Sequence, residues 1–400
     1  MILNRAPHEA DREDLAAIVT DAAAHAPALA ERLAAAGVAP ADLTDPAALA
    51  AVPVMTKDDL LRAQRERPPF GGLMAPGARP RRLFQSPGPL YEPQPEGPDP
   101  WRWGTALAAL GVGDDDVLLN CFGYHLSPAG AMFEEGALAR GATTVPGGIG
   151  GLDLQARLVA DLGVTSYTGL PSYLKALIER YDAEGLDPES WRLRRALVTA
   201  EPLPDSLRAL LTARIPDVHM AYGTAETGLL GYETAPHSGL KIAPGVIVQV
   251  CDLDTGAPRE DEGEGQIVVT LRRRTYPLIR FGTGDLSAWS TGPDGEPRLV
   301  GVLGRVGDAV KVRGMFLHPR QARAALEGTP GLAAFRFVVD RVDHRDLLRC
   351  EIEGEPGADH ADLAARVHAR VRAALRFDAQ VAPVASVGEG DLIEDTRDWS

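Results

Sequence analysis

A chain of 400 residues is too long for one ordinary hydrophobic core, so its length predicts two or three domains. Its 45% hydrophobic and 24% charged residues are typical of a globular protein, and since no apolar run is long enough to span a bilayer, we expect no membrane association. The net charge of −15 argues against a general nucleic-acid surface, because such a surface needs clustered cations to neutralise phosphates.

Cysteines and lysines are scarce in this sequence. The three cysteines, Cys121, Cys251 and Cys350, are isolated, which excludes a disulfide framework and predicts no zinc site. The N-terminal stretch is polar and acidic and lacks the pattern of a secretion signal, so we expect a cytoplasmic protein. Chemistry that requires a lysine has four candidates. They are Lys57, Lys175, Lys241 and Lys311.

The first part of the chain is predicted to be helical. The stretch "DREDLAAIVTDAAAHAPALAERLAAAG" has apolar residues at helical spacing and ends at Gly37, a common stop signal. A later helix opens in "MTKDDLLRAQ" with Thr56 as its predicted N-cap, which places Lys57 in the first turn, where we expect it to be solvated. Residues from about 66 to 100 are rich in Pro and Gly and are predicted to be mostly loop.

From Asp116 onward, short apolar strands alternate with helices. This alternation predicts a parallel sheet covered by helices on both faces. The predicted strands are Val117–Cys121, Ala142–Val145, Val164–Thr168, Arg195–Thr199 and Val218–Ala221, with helices at residues 127–139, 152–162, 171–182 and 203–213. Ligands of such sheets bind beyond the carboxyl ends of the strands, so the loops that follow these strands are the candidate site.

The patterning changes twice more before the end of the chain. After residue 240, "KIAPGVIVQV" and "GQIVVTLRRR" are typical of strands, and the last hundred residues combine strands with an amphipathic helix at 361–375. We therefore predict an α/β protein of two domains. The large N-terminal domain, residues 1–303, would contain mainly parallel sheets covered by helices and a β-rich subdomain at about 235–300. The small C-terminal domain, residues 304–400, would be α+β.

Four segments fall in suggestive places. They are "TAEPLP" (Thr199–Pro204), "AYGTAETG" (Ala221–Gly228), "YPLIRFGTGDLSAW" (Tyr276–Trp289) and "GRVGDAVKVRGMFLHPRQ" (Gly304–Gln321). Each alone is typical of a turn. In this order and spacing, they resemble the adenylate-forming enzymes, specifically the phenylacetate–CoA ligase family. "FGYHLSPAG", "VPGG" and "GLPSYLKAL" resemble the acyl-pocket segments of that family, and the resemblance covers nearly the whole chain.

The resemblance implies a nucleotide site. Tyr222 would lie against the purine face, and Thr224 would donate to the α-phosphate. Glu226 would hold Mg²⁺ on phosphate oxygens, and Asp285 would accept the ribose hydroxyls. The other implied nucleotide contacts are Ala200, Glu201 and Pro202 beside the adenine, Gly223 next to Tyr222, and Arg305 at the domain hinge. An Asx turn is the alternative interpretation of Asp285.

The resemblance also implies acyl and CoA sites. The acyl group would be bordered by Tyr124, His125, Pro171, Ser172 and Tyr173. A histidine beside a strand end is often only a packing residue, and for His125 that alternative stays open. The C-terminal domain would be mobile. Its movement would bring the loop that contains Lys311, Arg313 and Gly314 into the site, where this loop would form the pantetheine tunnel. The implied catalytic residues are Thr224, Glu226, His125 and Lys311.

The chain departs from the family pattern mainly where ATP would be handled. The phosphate loop of the family reads roughly "SSGTTGKP", whereas the matching residues 86–93 read "SPGPLYEP". Two prolines remove two N–H donors, the threonines and the lysine are missing, and Glu92 adds negative charge. No lysine follows residue 311 to serve as the C-terminal catalytic lysine of the family. Gly307 stands where the family usually has a hinge aspartate.

Two interpretations stay open from these departures. The first is an aryl- or acyl-CoA ligase-like enzyme that uses ATP, CoA and Mg²⁺, with pyrophosphate handled differently by Arg81, Arg82 or Arg280. The second is an adenylation-deficient relative that binds AMP, an acyl-adenylate or an acyl-CoA as a binding protein or half-reaction enzyme. In both, the partner is a small carboxylic acid, with aryl acids among the candidates. The family implies a homodimer.

Overall fold

The computed structural model describes residues 9–86, 88–259, 261–306, 310–313, 315–317 and 319–397. Gly307 and Gly314 lie outside these ranges. The α-helices are α1 (Glu9–His25), α2 (Pro27–Ala35), α3 (Pro46–Ala51), α4 (Lys57–Glu66), α5 (Trp103–Ala109), α6 (Ala129–Ala139), α7 (Leu152–Asp161), α8 (Pro171–Ala183), α9 (Asp205–Thr212), α10 (Pro319–Leu326) and α11 (His360–Leu375). Short 3₁₀ turns occur at Pro40–Thr44 and Pro188–Ser190.

The strands are β1 (Leu83–Gln85), β2 (Tyr91–Pro93), β3 (Val117–Asn120), β4 (Thr143–Val145), β5 (Ser166–Gly169), β6 (Arg195–Val198), β7 (Asp217–Thr224), β8 (Gly228–Tyr232), β9 (Leu240–Ile242), β10 (Val246–Cys251), β11 (Gly265–Leu271), β12 (Phe281–Ser287), β13 (Trp289–Thr291), β14 (Pro297–Leu299), β15 (Gly304–Arg305), β16 (Val310–Val312), β17 (Met315–Leu317), β18 (Leu332–Val342), β19 (Arg345–Gly354), β20 (Gln380–Pro383) and β21 (Ile393–Asp395).

The main sheet has a parallel half and an antiparallel half. Its strand order is β13-β14-β9-β8-β7-β6-β5-β3-β4. Strands β4, β3, β5, β6 and β7 pair in parallel, and Leu118, Tyr167 and Leu197 on them are fully buried. Such burial is what helices on both faces of a sheet produce. The predicted α/β class with a large parallel sheet is confirmed.

Strand β7 is longer than the predicted Val218–Ala221. It continues to Thr224 because its last residues pair antiparallel with β8, in the register Ala221 with Tyr232 and Thr224 with Gly228. The segment "AYGTAETG" is therefore the end of one strand and a tight turn into the next. This segment carries four of the predicted nucleotide-site residues, Tyr222, Gly223, Thr224 and Glu226.

The segment predicted as mostly loop, residues 66–100, contains a β-hairpin. Strands β1 and β2 pair antiparallel with Gln85 opposite Tyr91, and Leu90 in the turn between them is fully buried. Most of the segment is nevertheless loop, as predicted, and Pro89 and Pro93 stand in the connection and at the strand end, where a missing N–H donor is tolerated.

By its internal contacts, the chain divides into two compact units at residues 203/204, 207/208 and 304/305. The first unit also contains the antiparallel strands β10, β11 and β12, which pair in chain order. In the second unit, the long β18–β19 hairpin is flanked by β20 and β21 in parallel, and Phe337, Cys350 and Val367 lie in its core. Within the described ranges, the helices are too short or too polar to cross a membrane.

Candidate functional site

The carboxyl edge of the parallel strands brings the predicted loops together. The loops after β3, β5 and β6 and the β7–β8 turn all leave the sheet on this side, because parallel strands end at a common edge. The predicted residues that these segments carry are Tyr124, His125, Pro171, Ser172, Tyr173, Ala200, Glu201, Pro202, Tyr222, Gly223, Thr224 and Glu226.

Tyr222 and Asp285 are in direct contact. The Tyr222 hydroxyl donates a hydrogen bond of 2.7 Å to Asp285 Oδ2, and both side chains are buried. The Asp285 main-chain N–H is held in turn by Thr283 Oγ1 at 3.1 Å. The strands β7 and β12 thus place the predicted purine-face ring and the predicted ribose acceptor side by side.

The turn between β7 and β8 depends on two glycines. A Cβ on Gly223 would come within 2.4 Å of the Gly228 carbonyl oxygen, and Gly228 itself has φ of +76°. Across the turn, Thr224 Oγ1 lies 2.9 Å from Thr227 Oγ1 and accepts from the Thr227 N–H at 3.3 Å. Close packing of this turn fixes the direction in which Glu226 leaves the backbone.

Glu226 forms an ion pair with Lys57, the first residue of α4. The Lys57 Nζ lies 2.8 Å from Glu226 Oε1, and the lysine side chain is only 28% exposed. Burial would raise the pKa of the Glu226 carboxyl, but the Lys57 ammonium and the Thr224 hydroxyl outweigh it and hold the pKa below its ordinary value. The expectation that Lys57 is a solvated lysine is therefore wrong, because its ammonium is held by a buried carboxylate.

Two arginines brace the same turn from behind. The Arg273 guanidinium donates to the Glu226 carbonyl at 2.9 Å and to the Thr227 carbonyl at 3.1 Å, and Arg102 also donates to the Thr227 carbonyl. Burial, followed by the neighbouring Arg102 charge, lowers the pKa of Arg273 to about 9. Three cationic side chains, Lys57, Arg102 and Arg273, therefore contact this turn.

The β1–β2 hairpin contacts α4 and lies near Glu226, on the side where the sequence predicts the phosphates, here called the phosphate side. Gln64 on α4 clamps the main chain of Tyr91, donating to its carbonyl at 2.8 Å and accepting from its N–H at 2.9 Å. The next residue, Glu92, is buried together with Ser86. Among the described residues, neither Glu92 carboxylate oxygen nor Ser86 Oγ has a hydrogen-bond partner of good geometry.

Glu92 and Glu226 form an electrostatically coupled pair. Burial and, secondly, the Glu226 carboxylate raise the pKa of Glu92 from 4.5 to about 8, with Ser86, Lys57 and Arg273 acting in the opposite direction. At neutral pH, Glu92 is thus a protonated acid and a potential hydrogen-bond donor. The negative charge expected from the sequence at this position is largely removed by protonation.

Magnesium, implied through Glu226, would have to share this carboxylate with the Lys57 ammonium group. Lys57 already contacts one carboxylate oxygen of Glu226, so a metal ion would add a second cation beside the ammonium group. In the part of the chain that the structure describes, no group of three or more His, Cys, Asp or Glu side chains is placed to hold a metal ion. The role of Glu226 as a metal ligand stays a prediction, and no step below passes through magnesium.

The predicted adenine loop has unusual backbone geometry. Ala200 has φ of +71°, a conformation that non-glycine residues adopt mainly where the surrounding structure imposes it. Glu201 is buried and accepts from the Ser172 hydroxyl at 2.6 Å, which ties this loop to the start of α8, while Pro202 is exposed. The loops after β5 and β6 are therefore fixed to each other.

Two of the predicted acyl-pocket residues, both tyrosines, form hydrogen bonds through their hydroxyl groups. Tyr124 Oη accepts from Asn120 at 2.9 Å, and Tyr173 Oη donates to Gln155 Oε1 at 2.6 Å. His125 is exposed on the loop after β3, while Pro171 is buried as the first residue of α8. The structure brings these residues to the same sheet edge as the nucleotide segments.

Known proteins share this architecture. The family model of AMP-binding enzymes matches residues 102–272. A phenylacetate-coenzyme A ligase of Aromatoleum evansii is 29% identical over 342 residues, which are 81% of this chain and 76% of that protein. A phenylacetate-coenzyme A ligase of Thermus thermophilus is 28% identical over 350 residues, which are 80% and 75% of the two chains. The chain thus resembles phenylacetate-coenzyme A ligases over about four fifths of its length.

A solved structure agrees with this phenylacetate–CoA ligase-like fold. The crystal structure of 2-hydroxyisobutyryl-CoA ligase in complex with 2-HIB-AMP and CoA in its thioesterification state is similar, with a TM-score of 0.86. It is 23% identical and covers 98% of this chain and 90% of that chain. The sheet and the loops at its carboxyl edge thus follow the adenylate-forming fold.

The remaining predicted residues of this phenylacetate–CoA ligase-like chain belong to the second unit. Arg305 lies on β15, and Lys311 lies on β16. Arg313 follows β16, where its Nε donates to the Asp346 carbonyl at 2.9 Å and its N–H donates to Asp346 Oδ2 at 3.1 Å. The predicted CoA contact of Arg313 is thus a residue anchored within its own unit.

The arginines suggested as phosphate ligands have other partners. Arg280 is buried and donates to the carbonyls of Ala50, Val52 and Gly256. Arg82 pairs with Glu135 at 2.7 Å, and Arg81 lies 4.0 Å from the same carboxylate. Arg280 is therefore a core residue, and Arg81 and Arg82 lie within ion-pair distance of Glu135 on α6.

Sequence reasoning missed four residues of the site, namely Lys57, Arg273, Gln64 and Gln155. Each acts on a partner far away in the chain, so no local motif contains both members of a pair. The capping signal at Thr56 was the only sequence feature near any of them. It predicted the helix and not the contact.

Proposed function

We propose that the protein forms CoA thioesters from acyl-adenylates and has lost the ATP-dependent activation of free acids. It would bind the AMP part of an acyl-adenylate and CoA, as the thioester-forming half of the family reaction requires. The thiol sulfur of CoA attacks the acyl carbonyl carbon, the bond from that carbon to the phosphate oxygen breaks, and AMP leaves. The thiol proton passes to solvent.

The intact adenosine side supports binding of the AMP part. The Asp285 carboxylate, in contact with the Tyr222 hydroxyl, is a group of the type that accepts ribose hydroxyls. The strained Ala200 stands in the loop that flanks the adenine in the family. These features require a nucleoside but not a triphosphate.

The phosphate side carries the proposal. The hairpin places the buried Glu92 beside Glu226, and Lys57 has already neutralised Glu226. Pro87 and Pro89 offer no N–H donors where a triphosphate loop needs several in succession. A single phosphate beside the protonated Glu92 is compatible with this site, whereas two further phosphates would meet the buried carboxyl groups.

A second candidate is the complete aryl- or acyl-CoA ligase with altered pyrophosphate handling. The position of Lys57 favours it, because a partly exposed ammonium group beside Glu226 could leave that carboxylate and contact a phosphate. In that case ATP would break the Lys57–Glu226 ion pair on binding. The aryl nature of the acid, the homodimer and the cytoplasmic location stay predictions under both candidates.

Two assays on the same preparation test the proposal. The first supplies chemically prepared acyl-adenylates with CoA and follows thioester formation by mass spectrometry. The second measures acid-dependent exchange of labelled pyrophosphate into ATP. We expect thioester formation faster than in the Asp285→Asn variant, which controls for the spontaneous reaction, and no exchange with any acid.

Other outcomes decide against the proposal in different ways. Exchange with even one acid would establish the complete ligase instead. A thioester rate equal to that of Asp285→Asn, together with no binding of AMP, would remove both candidates.

A further inference from the structure

The Gln155 side chain forms hydrogen bonds to two of the segments that resemble the acyl pocket, although no motif contains this residue. It lies on α7, only 3% exposed, and its amide nitrogen reaches the carbonyl oxygens of Gly147, Gly148 and Gly150 at 2.9, 3.1 and 3.0 Å. Its carbonyl oxygen accepts from the Tyr173 hydroxyl at 2.6 Å. One amide group therefore joins the loop after β4 to the helix after β5.

The loop it holds is rich in glycine and is also held by two main-chain hydrogen bonds, from the Gly147 N–H to the Val145 carbonyl at 2.9 Å and from the Gly148 N–H to the Asn120 carbonyl at 3.0 Å. In "GGIGG", residues 147–151, Gly148, Gly150 and Gly151 have φ of +66°, +87° and +70°. Four of its five residues lack side chains that could pack, and glycines in this conformation keep large backbone freedom when unfolded. The Gln155 amide contacts three of the five carbonyl oxygens of the loop, and the Tyr173 side chain is also in contact with it, through the Gly150 carbonyl at 3.4 Å.

This loop carries a wall of the predicted acyl pocket. Ile149 at its tip is 69% exposed and points toward Gly123, since a Cβ on Gly123 would lie 3.8 Å from Ile149 Cδ1. Tyr124, the next residue after Gly123, is also exposed, and its hydroxyl is held by Asn120. Ile149, Tyr124 and Tyr173 therefore present apolar surface at the carboxyl edge of the sheet.

We infer that Gln155 is the positioning residue that sets the width of the acyl pocket, by holding the loop 147–151 and Tyr173 as one rigid wall. This inference rests on the proposed function, because it assumes that the acyl part of an adenylate lies against this wall. Without the amide, the glycine loop can shift Ile149, and Tyr173 loses its nearer acceptor and keeps only the Gly150 carbonyl at 3.4 Å. The pocket then accepts acyl groups of different sizes with similar affinity.

The test compares binding of stable acyl-adenylate mimics, acyl-sulfamoyl adenosines with acyl groups from acetyl to phenylacetyl, by isothermal titration calorimetry. In Gln155→Leu we expect the affinity ratio between the best and worst acyl groups to fall by about tenfold, the effect of losing one buried hydrogen-bonded anchor. The affinity for AMP, which has no acyl group, should stay unchanged. Tyr173→Phe should give a smaller fall in the ratio, because it leaves the loop anchored.

Controls separate positioning from general destabilisation. Gln249→Leu removes an equally buried glutamine from β10, on a different sheet, and should leave the acyl ratio unchanged. Gln155→Glu keeps the acceptor for Tyr173 and loses the donors to the loop, and it serves if the leucine variant does not fold. Two results would overturn the inference. The ratio of affinities between the best and worst acyl groups could stay as in the unmodified protein in both Gln155 variants, or the affinity for AMP could fall as much as the affinity for the acyl-adenylate mimics.

Hydrogen exchange of residues 147–151 needs no ligand and distinguishes failure of this inference from failure of the proposed function. We expect faster exchange in Gln155→Leu than in the unmodified protein and in Gln249→Leu. Unchanged exchange would refute the positioning role even if the protein binds adenylates. Faster exchange in a protein that binds no adenylate would refute the proposed function and the pocket role together, while the restraint on the loop would stand.

Discussion

At the scale of single residues, two carboxyl groups share the phosphate side of the site and behave differently. Glu226 is kept ionised by Lys57 at 2.8 Å, whereas Glu92 has no such partner among the described residues and is buried beside Glu226. The two pKa values are therefore driven apart, that of Glu226 downward and that of Glu92 upward to about 8. One group stays charged, and the other titrates near physiological pH.

This separation predicts how AMP binding depends on pH. Below about pH 8, Glu92 is neutral and can donate to the phosphate; above it, the ionised carboxylate repels the phosphate by roughly 1 to 4 kcal/mol. The affinity for AMP should therefore fall about tenfold or more as the pH rises through 8. Glu92→Gln should bind AMP with no such fall between pH 7 and 9.5, as measured by calorimetry.

The control and a second measurement sharpen this prediction. Glu96→Gln, an exposed glutamate of the same segment, should keep the pH dependence of the unmodified protein. The folded-state pKa of Glu92 lies above its ordinary 4.5, so the folded protein keeps a proton that the unfolded chain releases. Stability should thus decline between about pH 4.5 and 8, and less steeply in Glu92→Gln. A pH profile of AMP affinity that is identical in Glu92→Gln would contradict the assignment.

At the scale of elements, helix α4 positions the phosphate side as a unit. Its N-terminus is fixed by a capping box between Thr56 and Asp59, which sets Lys57 against Glu226, and Gln64 near its other end holds the hairpin. The capping signal was readable from the sequence because both partners lie within four residues. The contacts of Lys57 with Glu226 and of Gln64 with Tyr91 could not be predicted from the sequence, because the local sequence does not specify which strand or turn a helix will face.

Gln64→Leu tests the connection between α4 and the hairpin. It removes both hydrogen bonds to the Tyr91 main chain and leaves a part-buried N–H and carbonyl without this partner, which costs about 1 kcal/mol. We expect faster hydrogen exchange in residues 88–93 and a lower denaturant midpoint. Arg65→Gln, an exposed change on the same helix, should alter neither. If hydrogen exchange of the hairpin in Gln64→Leu is as slow as in the unmodified protein, the pairing of β1 with β2 is sufficient to hold the hairpin without Gln64.

At the scale of the whole molecule, much of the architecture could be predicted from periodicity. The five parallel strands and their helices follow from alternating apolar runs, and the observed strands begin within two residues of the expected positions. The site was predictable only as a set of loops at one sheet edge. Its electrostatics depends on Lys57, Glu92, Glu226 and Arg273, which come from four separate segments.

The opposite edge of the sheet has charged residues with a purely structural role. Asp116, buried before β3, accepts from the Thr165 hydroxyl at 2.7 Å, from Arg194 at 3.0 Å and from Arg195 at 3.1 Å. These contacts join the start of β3 to the starts of β5 and β6. Because they lie at the amino ends of the strands, the loops that carry the predicted ligand contacts do not take part in them.

Asp116→Ala should therefore separate stability from binding. It leaves two guanidinium groups without their shared carboxylate, and because Arg194 is partly solvated we expect a loss of about 2 to 4 kcal/mol in urea unfolding. The affinity for AMP, measured at a temperature where the variant is folded, should not change. Asp115→Ala, the exposed neighbour, should change neither quantity by more than about 0.5 kcal/mol. A weaker affinity for AMP in folded Asp116→Ala would mean that the two edges of the sheet are coupled, and that the carboxyl-edge loops depend on the strand register set at the amino edge.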